Sequence, residues 1–255
     1  MKISMNQFNE HLAELAREDI IVQWKAVSGL AKYSSAEWQG TPEAVSSAVP
    51  ALVKASSLGA AMPLGGDIRA EAAKALGNIG AESSAVVPEL VRLLQGDSDS
   101  KVRTEAAHAL GKIGERAGAA SRALANIVDD PACGDILRGE AAWALARVGP
   151  LAPGTVTALS AAARDRSGYV GVRAAEALWK ASGEASPAAL ALAARLEDPE
   201  VRNAAAQALN RIGPGAKGAV RALLIATKST DRLFRESVVM ALRRIDPGAA
   251  AQAGL

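Results

Sequence analysis

Apolar residues recur at helical spacing along most of the chain. The clearest copy spans residues 102–114, where apolar side chains fall three and four residues apart and so predict one buried helix face. These side chains are Val102, Ala106, Ala109, Leu110 and Ile113. Gly114 closes the pattern, as a glycine just past a helix commonly does.

One leucine marks each copy of this pattern, and we call it the anchor leucine. Seven related segments carry it: Leu30, Leu76, Leu110, Leu145, Leu178, Leu209 and Leu242. Successive anchor leucines lie 31 to 46 residues apart, and most steps are close to 33. A period of this length indicates a repeat array in which each unit is one supersecondary element.

A second amphipathic pattern lies between these segments and predicts a first helix for each unit. Residues 87–94 show it best, with looser versions at 124–128, 156–163, 190–196 and 220–226. Pro50 and Pro88 are expected in the first turn of such helices, where a missing N–H costs little. The turns carry aspartates that suit N-caps of the second helix: Asp97, Asp99, Asp130, Asp165, Asp198 and Asp231.

The pattern Val-Arg-x-x-Ala-Ala-x-Ala-Leu-Gly-x-Ile-Gly resembles HEAT-like repeats of the phycobilin-lyase type, from about residue 6 to residue 246. The resemblance implies an all-α fold, an α-solenoid of about seven HEAT-like helix-turn-helix repeats in a right-handed superhelix. A single array is expected over 1–255, with repeats at about 6–33, 41–80, 81–114, 115–149, 150–183, 184–213 and 214–246. Such families contain scaffolds, lyases, DNA-repair proteins and metal enzymes, so the resemblance predicts fold rather than activity.

Three other features qualify this plan. Long connections at 33–41 and 57–66 account for the 46-residue step and are interpreted as tolerated insertions, a functional role being the alternative. The tail, 247–255, is expected to fray without a capping helix. An arginine recurs seven residues before the anchor leucine, and the resemblance implies that it bonds turn carbonyls or the aspartate of the adjoining repeat: Arg69, Arg103, Arg138, Arg202 and Arg235. Gly171 replaces it in one copy.

Composition narrows the function classes. Apolar residues make up 49% of the chain but aromatic residues only 3%, which predicts a thin core of alanine and leucine. The net charge of +2 does not favour a general nucleic-acid or membrane binder. A single cysteine excludes an internal disulfide. We expect a cytoplasmic protein without a membrane partner, because no signal segment or transmembrane run is apparent.

The anchor leucine also predicts which side of the second helix is free. At 100° per residue, the positions two before and two after it lie at about 160° and 200°, away from the core. The resemblance implies that these two rows line a concave groove. The candidate partner-binding residues are Lys74, His108, Lys112, Trp143, Arg147, Glu176, Lys180, Gln207, Arg211 and Arg244.

Two interpretations of these rows stay open. The row two after the anchor is basic at six of seven positions, which either compensates the helix dipole or forms an edge for an acidic or phosphate ligand. Trp143 is either a groove anchor or a cover for alanine-rich neighbours. Trp24 is expected on the free side, whereas Trp38 and Trp179 are expected to pack.

No catalytic, cofactor or metal site is predicted. His11 and His108 lie in different repeats, without the repeated His-Glu pairs of HEAT-like metal enzymes. Cys133 has no CxxC partner, and no glycine-rich run follows a strand. The favoured function is a non-catalytic scaffold that binds an unknown protein or peptide, and the basic row suggests an acidic one. The alternatives are nucleic-acid backbone binding, as in HEAT-like DNA-repair proteins, and a bilin lyase-like or chaperone role.

Overall fold

The computed structural model describes residues 5–33, 42–58, 64–80 and 86–255, and helices dominate these residues. The helices of the first half are α1 (Met5–Leu15), α2 (Ile20–Leu30), α3 (Pro42–Ala55), α4 (Gly65–Ile79), α5 (Val86–Gly96), α6 (Ser100–Ile113) and α7 (Ser121–Asp129). Those of the second half are α8 (Asp135–Leu145), α9 (Thr155–Ala162), α10 (Gly168–Ser182), α11 (Ala185–Ala193), α12 (Arg202–Ile212), α13 (Val220–Ala226), α14 (Arg232–Ile245) and α15 (Pro247–Gln252). Two 3₁₀ helices, Gly114–Ala120 and Gly213–Ala219, precede α7 and α13.

The first of two compact units comprises Met1–Asn126 and Arg147–Ala152. Within it, α1 packs on α2 and α3, and both of these contact α4. The second helices α4 and α6 lie side by side, and α5 packs against α6. Consecutive second helices are therefore neighbours, as in a repeat array where each unit contacts the next.

The second unit comprises Ile127–Ala146 and Pro153–Leu255. Its second helices follow one another in contact, α8 on α10, α10 on α12 and α12 on α14. The first helices pack on them, α9 and α11 on α10 and α13 on α14. This alternation of first and second helices is the predicted α-solenoid of helix-turn-helix repeats, and it confirms the fold class.

The core consists mainly of the anchor leucines and the alanines around them. All seven anchor leucines are buried, none being more than 4% exposed. Small residues let the second helices approach closely, and Gly77 shows how closely. A Cβ atom added to Gly77 in α4 would lie 2.5 Å from Cβ and 2.7 Å from Cα of Ala109 in α6. The alanine-rich sequence therefore produces helix contacts that extend to the backbone.

The turn aspartates take two roles rather than the single one predicted. Asp99 and Asp231 are N-caps, and their carboxylates accept from the N–H groups of Lys101 and Phe234. The other four accept from the N–H two residues on, which is an Asx turn. For these four the prediction of an N-cap was wrong: Asp97, Asp130, Asp165 and Asp198. Two of them instead bind arginines, as described below.

The tail and one proline also depart from expectation. The tail does not fray: α15 packs on α14, because the carboxylate of Asp246 accepts from the Ala249 N–H and Pro247 suits a first turn. Pro88 lies in the first turn of α5, but Pro50 lies inside α3, which begins at Pro42. Of the two long connections, residues 34–41 (with Trp38) and 59–63 lie outside the described residues.

Candidate functional site

Buried arginines hold the second helices in place. Arg69 of α4 donates from Nε and Nη2 to the two carboxylate oxygens of Asp97, at 2.7 and 2.9 Å. Its Nη1 donates to the Leu58 carbonyl at 3.0 Å. Burial opposes ionisation of Asp97, but hydrogen bonds from Arg69 and from the Asp99 N–H outweigh it and hold its pKa below the ordinary value. The pair therefore ties α4 to the turn that follows α5.

The same contact recurs along the chain, which confirms the structural role predicted for this arginine. Arg138 and Arg202 bind Asp165 and Asp231 at 2.6 and 2.8 Å. Backbone carbonyls accept from the other two arginines: the Leu94 carbonyl, in the last turn of α5, from Arg103 at 2.9 Å, and the Ser229 carbonyl, in a turn, from Arg235 at 2.6 Å. In the five second helices that carry this arginine, it therefore bonds the start of the helix to a neighbouring segment of the chain.

Arg195 replaces the arginine that α10 lacks. Gly171 occupies the arginine position in α10, and a Cβ atom there would lie 2.7 Å from Nη2 of Arg195. That Nη2 donates to the carbonyl of Asp165, in the turn before α10. A guanidinium from the turn that follows α11 therefore occupies the space that the missing side chain leaves.

We expect Arg195→Met to lower the free energy of unfolding by about 1–3 kcal/mol, because the Asp165 carbonyl loses a charged donor. Gly171→Arg alone is expected to destabilise as well, since two guanidiniums cannot share one space. The double variant should recover most of the loss, and urea unfolding of all four proteins gives the coupling energy. Purely additive losses would contradict the replacement.

The structure places the ten candidate residues at the surface with different degrees of exposure. Lys112, Lys180, Gln207, Arg211 and Arg244 are exposed. The other five are half-buried: Lys74, His108, Trp143, Arg147 and Glu176. Arg211 and Glu176 are brought together across α12 and α10, with Nε of Arg211 2.7 Å from Oε1 of Glu176.

One position of the basic row does not face solvent as the helical wheel predicted. Asn78, the single non-basic member, is buried, and its amide donates to the Ala31 carbonyl at 2.9 Å. Its side-chain oxygen accepts from Nζ of Lys112. The prediction was wrong here because a neighbouring helix, α2, packs beside the end of α4.

The N-terminal half of the same surface was not among the predicted binding positions. Positions five and nine before the anchor leucine lie at about 220° and 180°, on the free side of the helix. Contacts between neighbouring helices confirm this, since Nζ of Lys101 lies 2.5 Å from Oδ1 of Asp67 and the Tyr169 hydroxyl lies 2.7 Å from Oε1 of Glu140. We call the ladder face the surface formed by positions nine, five and two before and two after each anchor leucine.

The ladder face of α4 and α6 is polar and internally bonded. The Asp67–Lys101 ion pair bridges the two helices, and Lys74 lies 3.4 Å from the carboxylate of Glu71. Lys112 bonds to Asn78, as described above. The lysines on the ladder face of α4 and α6 therefore already have polar partners from the same chain.

The ladder face of α8 and α10 contains a group of interacting side chains around Tyr169. Arg173 lies 5.3 Å above the ring of Tyr169, and its Nη2 is 3.7 Å from the carboxylate of Glu140. Burial and the hydrogen bond to Glu140 raise the pKa of Tyr169, so its hydroxyl stays protonated and donates. Trp143 lies half-buried one turn after Glu140.

Other features of the described residues add no chemistry. No cluster of three or more His, Cys, Asp or Glu side chains there is arranged to hold a metal ion. The buried thiol of Cys133 lies 3.5 Å from Asp130, and His11 bonds to Glu14. None of the described helices combines the length and apolar character that a bilayer span requires.

Comparison with known proteins identifies the repeats. The sequence profile of HEAT repeats matches residues 66–146 and 155–243. A designed armadillo repeat protein in complex with the peptide (KR)4 is 21% identical, with a TM-score of 0.51 over 94% of this chain and 99% of that one.

Two structures of Kap121p, bound to Pho4p and to Nup53p, are 12% identical, with TM-scores of 0.60 and 0.61. Each match covers 94% of this chain and 29% of Kap121p, and at these identities it shows the fold alone. No curated protein sequence matches this chain. Because the HEAT profile covers more than half of the 255 residues, the chain belongs to the HEAT-repeat family.

Proposed function

We propose that this protein is a non-catalytic scaffold that binds a partner protein or peptide on its ladder face. The observation that carries this proposal is the contrast between the two sides of the second helices. The anchor leucines are buried at all seven positions, whereas the opposite rows vary from tryptophan to lysine and include several exposed side chains. A constant core beside a variable surface is the arrangement expected of a recognition module.

The comparisons support the proposal at the level of fold. A similar designed repeat protein holds the peptide (KR)4, and Kap121p is bound to Pho4p and to Nup53p in two similar structures. A binding role does not require a catalytic group. The ten candidate residues all lie on the ladder face as we define it, so they are the side chains proposed to contact the partner.

Site-specific photo-crosslinking tests where a partner binds. We expect a benzophenone amino acid at Gln207, exposed on α12, to give a covalent protein adduct in an extract of the source organism. The matched control carries it at Arg221, exposed on α13, which is a first helix. Adducts are detected by mass shift on gels and identified by mass spectrometry.

The proposal requires a discrete adduct at Gln207 that Trp143→Ala reduces. Equal labelling at both positions would indicate non-specific contact and contradict it. So would labelling at Arg221 alone, or the absence of adducts at Gln207 from a folded protein. A nucleic-acid adduct at Gln207 would favour the phosphate-backbone alternative instead.

A further inference from the structure

Building on the function proposed above, we propose that the ladder face of α8, α10, α12 and α14 binds an extended acidic peptide with apolar residues near both ends. These four helices belong to one compact unit, in which each contacts the next. The inference rests on two cations that lack a carboxylate partner, on two pairs of apolar side chains, and on the distance between the two helices that carry those pairs.

The charges favour an acidic ligand. On α10, α12 and α14, two of the four cations of this surface are already neutralised, Arg173 by Glu140 and Arg211 by Glu176. Lys180 and Arg244 are exposed, and neither has a carboxylate within 4.0 Å among the residues that the structure describes. Both lie two residues after an anchor leucine, so they mark the same edge of the surface.

The remaining anion on this surface lies at the opposite edge. Glu200 is nine residues before the anchor of α12 and is exposed, whereas Lys180 and Arg244 are two residues after theirs. Glu200 lies in the turn before α12, and the nine helical steps from Arg202 to Arg211 already correspond to about 14 Å along the axis. The edge that carries Lys180 and Arg244 therefore keeps its positive charge, which attracts carboxylates over about a Debye length.

Apolar side chains lie on the two outer helices of the set. On α8, Ile136 is 68% exposed and lies two turns before Trp143. On α14, Leu233 and Met240 are 72% and 62% exposed, at the same two positions relative to the anchor leucine. Isolated exposed aliphatic residues are common on protein surfaces. Here, in contrast, apolar side chains occupy the same two positions on both outer helices. The two inner helices present Glu176 and Gln207 between them.

The spacing fits an extended chain. Packed helices lie about 8–10 Å apart, so the three steps from α8 to α14 span about 24–30 Å. At about 3.3 Å per residue, an extended peptide covers this distance with about seven to nine residues. Lys180 and Arg244 are two steps apart, which corresponds to about five or six peptide residues. A helical ligand would need about 16–20 residues and would place its apolar stripe over the polar middle.

Fluorescence anisotropy with labelled ten-residue peptides tests this inference on the full chain. The probe peptide has leucine near each end and glutamate at positions 3 and 9. There are two control peptides. One has lysine in place of both glutamates, and the other has both leucines in the centre. We expect the probe peptide to bind at least tenfold more tightly than either control, and more weakly as salt is raised.

Variants assign the binding to this surface. Lys180→Glu with Arg244→Glu should reverse the preference between the glutamate and lysine peptides, and Leu233→Ser with Met240→Ser should weaken the probe about tenfold. The control variant combines Arg221→Glu, exposed on α13, with Lys228→Glu, exposed just after α13. It should change neither the preference between the two peptides nor the affinity for the probe peptide. Circular dichroism verifies that each variant is folded.

Equal affinity for the glutamate and lysine peptides would overturn the inference, as would an unchanged preference in the Lys180 and Arg244 variant. If no peptide binds but Gln207 still forms a protein adduct, the acidic peptide is wrong and the scaffold function stands. If Gln207 forms no adduct, the scaffold function itself fails. Tighter binding of a labelled DNA duplex than of the probe would indicate a phosphate ligand and also overturn the inference.

Discussion

Replacing Arg69 by methionine is expected to lower the free energy of unfolding by about 3–5 kcal/mol. The side chains of Arg69 and Asp97 are only 5% and 7% exposed, so removing the guanidinium leaves a buried carboxylate without its cation. The Leu58 carbonyl loses its donor at the same time. Urea unfolding followed by circular dichroism measures the change.

Two further proteins test the cause of this loss. The double variant Arg69→Met with Asp97→Leu should recover part of the stability, because no charge then stays buried without a partner. Arg232→Met breaks an ion pair with Glu236 whose side chains are 81% and 54% exposed, so it should change stability far less than Arg69→Met does. A similar loss for Arg69→Met and Arg232→Met would contradict the importance of burial.

Acid provides an independent check on the same pair. The pKa of Asp97 is lower in the folded protein than in the unfolded chain, so its contribution is fully present above the unfolded value of about 4. It is lost as the pH falls through the lower folded value. The difference in stability between wild type and Arg69→Met should therefore be constant near neutrality and shrink in acid. A difference that grew below pH 4 would have the wrong sign.

Gly77→Leu is expected to destabilise the first unit by about 3 kcal/mol. A Cβ atom at Gly77 would already lie 2.7 Å from Cα of Ala109, and a backbone atom cannot rotate away as a flexible side chain can. Accommodating leucine therefore requires α4 and α6 to separate along their shared contact. Thermal or urea unfolding measures the loss.

Gly96→Leu is the matched control for this substitution. Gly96 is the last residue of α5, and a Cβ atom there would have nothing within 4 Å. Leucine has a better helix propensity than glycine, so this variant should be neutral or slightly more stable. Equal destabilisation by the two leucines would show that close helix contact is not the reason glycine is required at position 77.

The repeat plan could be predicted from the sequence because it depends on local periodicity. The anchor leucines and the arginine seven residues before them are read from spacing within one helix, and their burial and bonding follow that spacing. The position of the candidate rows followed in the same way, apart from Asn78, whose burial depends on α2. That a partner binds these rows stays a prediction, as does the phycobilin-lyase subtype.

The features that could not be predicted depend on contacts between different helices. Arg195 replaces the arginine missing at Gly171 although Gly171 is on α10 and Arg195 is in the turn after α11, and no spacing rule connects them. The exposed residues Ile136 and Leu233 could have been found, because the helical wheel extends to nine residues before the anchor. The wheel was applied only near the anchor, so the apolar ends of the surface were missed.

The recurring arginines change where one repeat should be divided from the next, because three of them bind aspartates far along the chain. Arg69, Arg138 and Arg202 bind aspartates 28, 27 and 29 residues further along the chain, beyond the end of their own helix. A segment excised from 81 to 114 would carry Asp97 without Arg69, whereas one from 64 to 99 keeps both. When a repeat is duplicated or grafted, the fragment boundaries should therefore be shifted by about half a repeat from those that the sequence motif suggests.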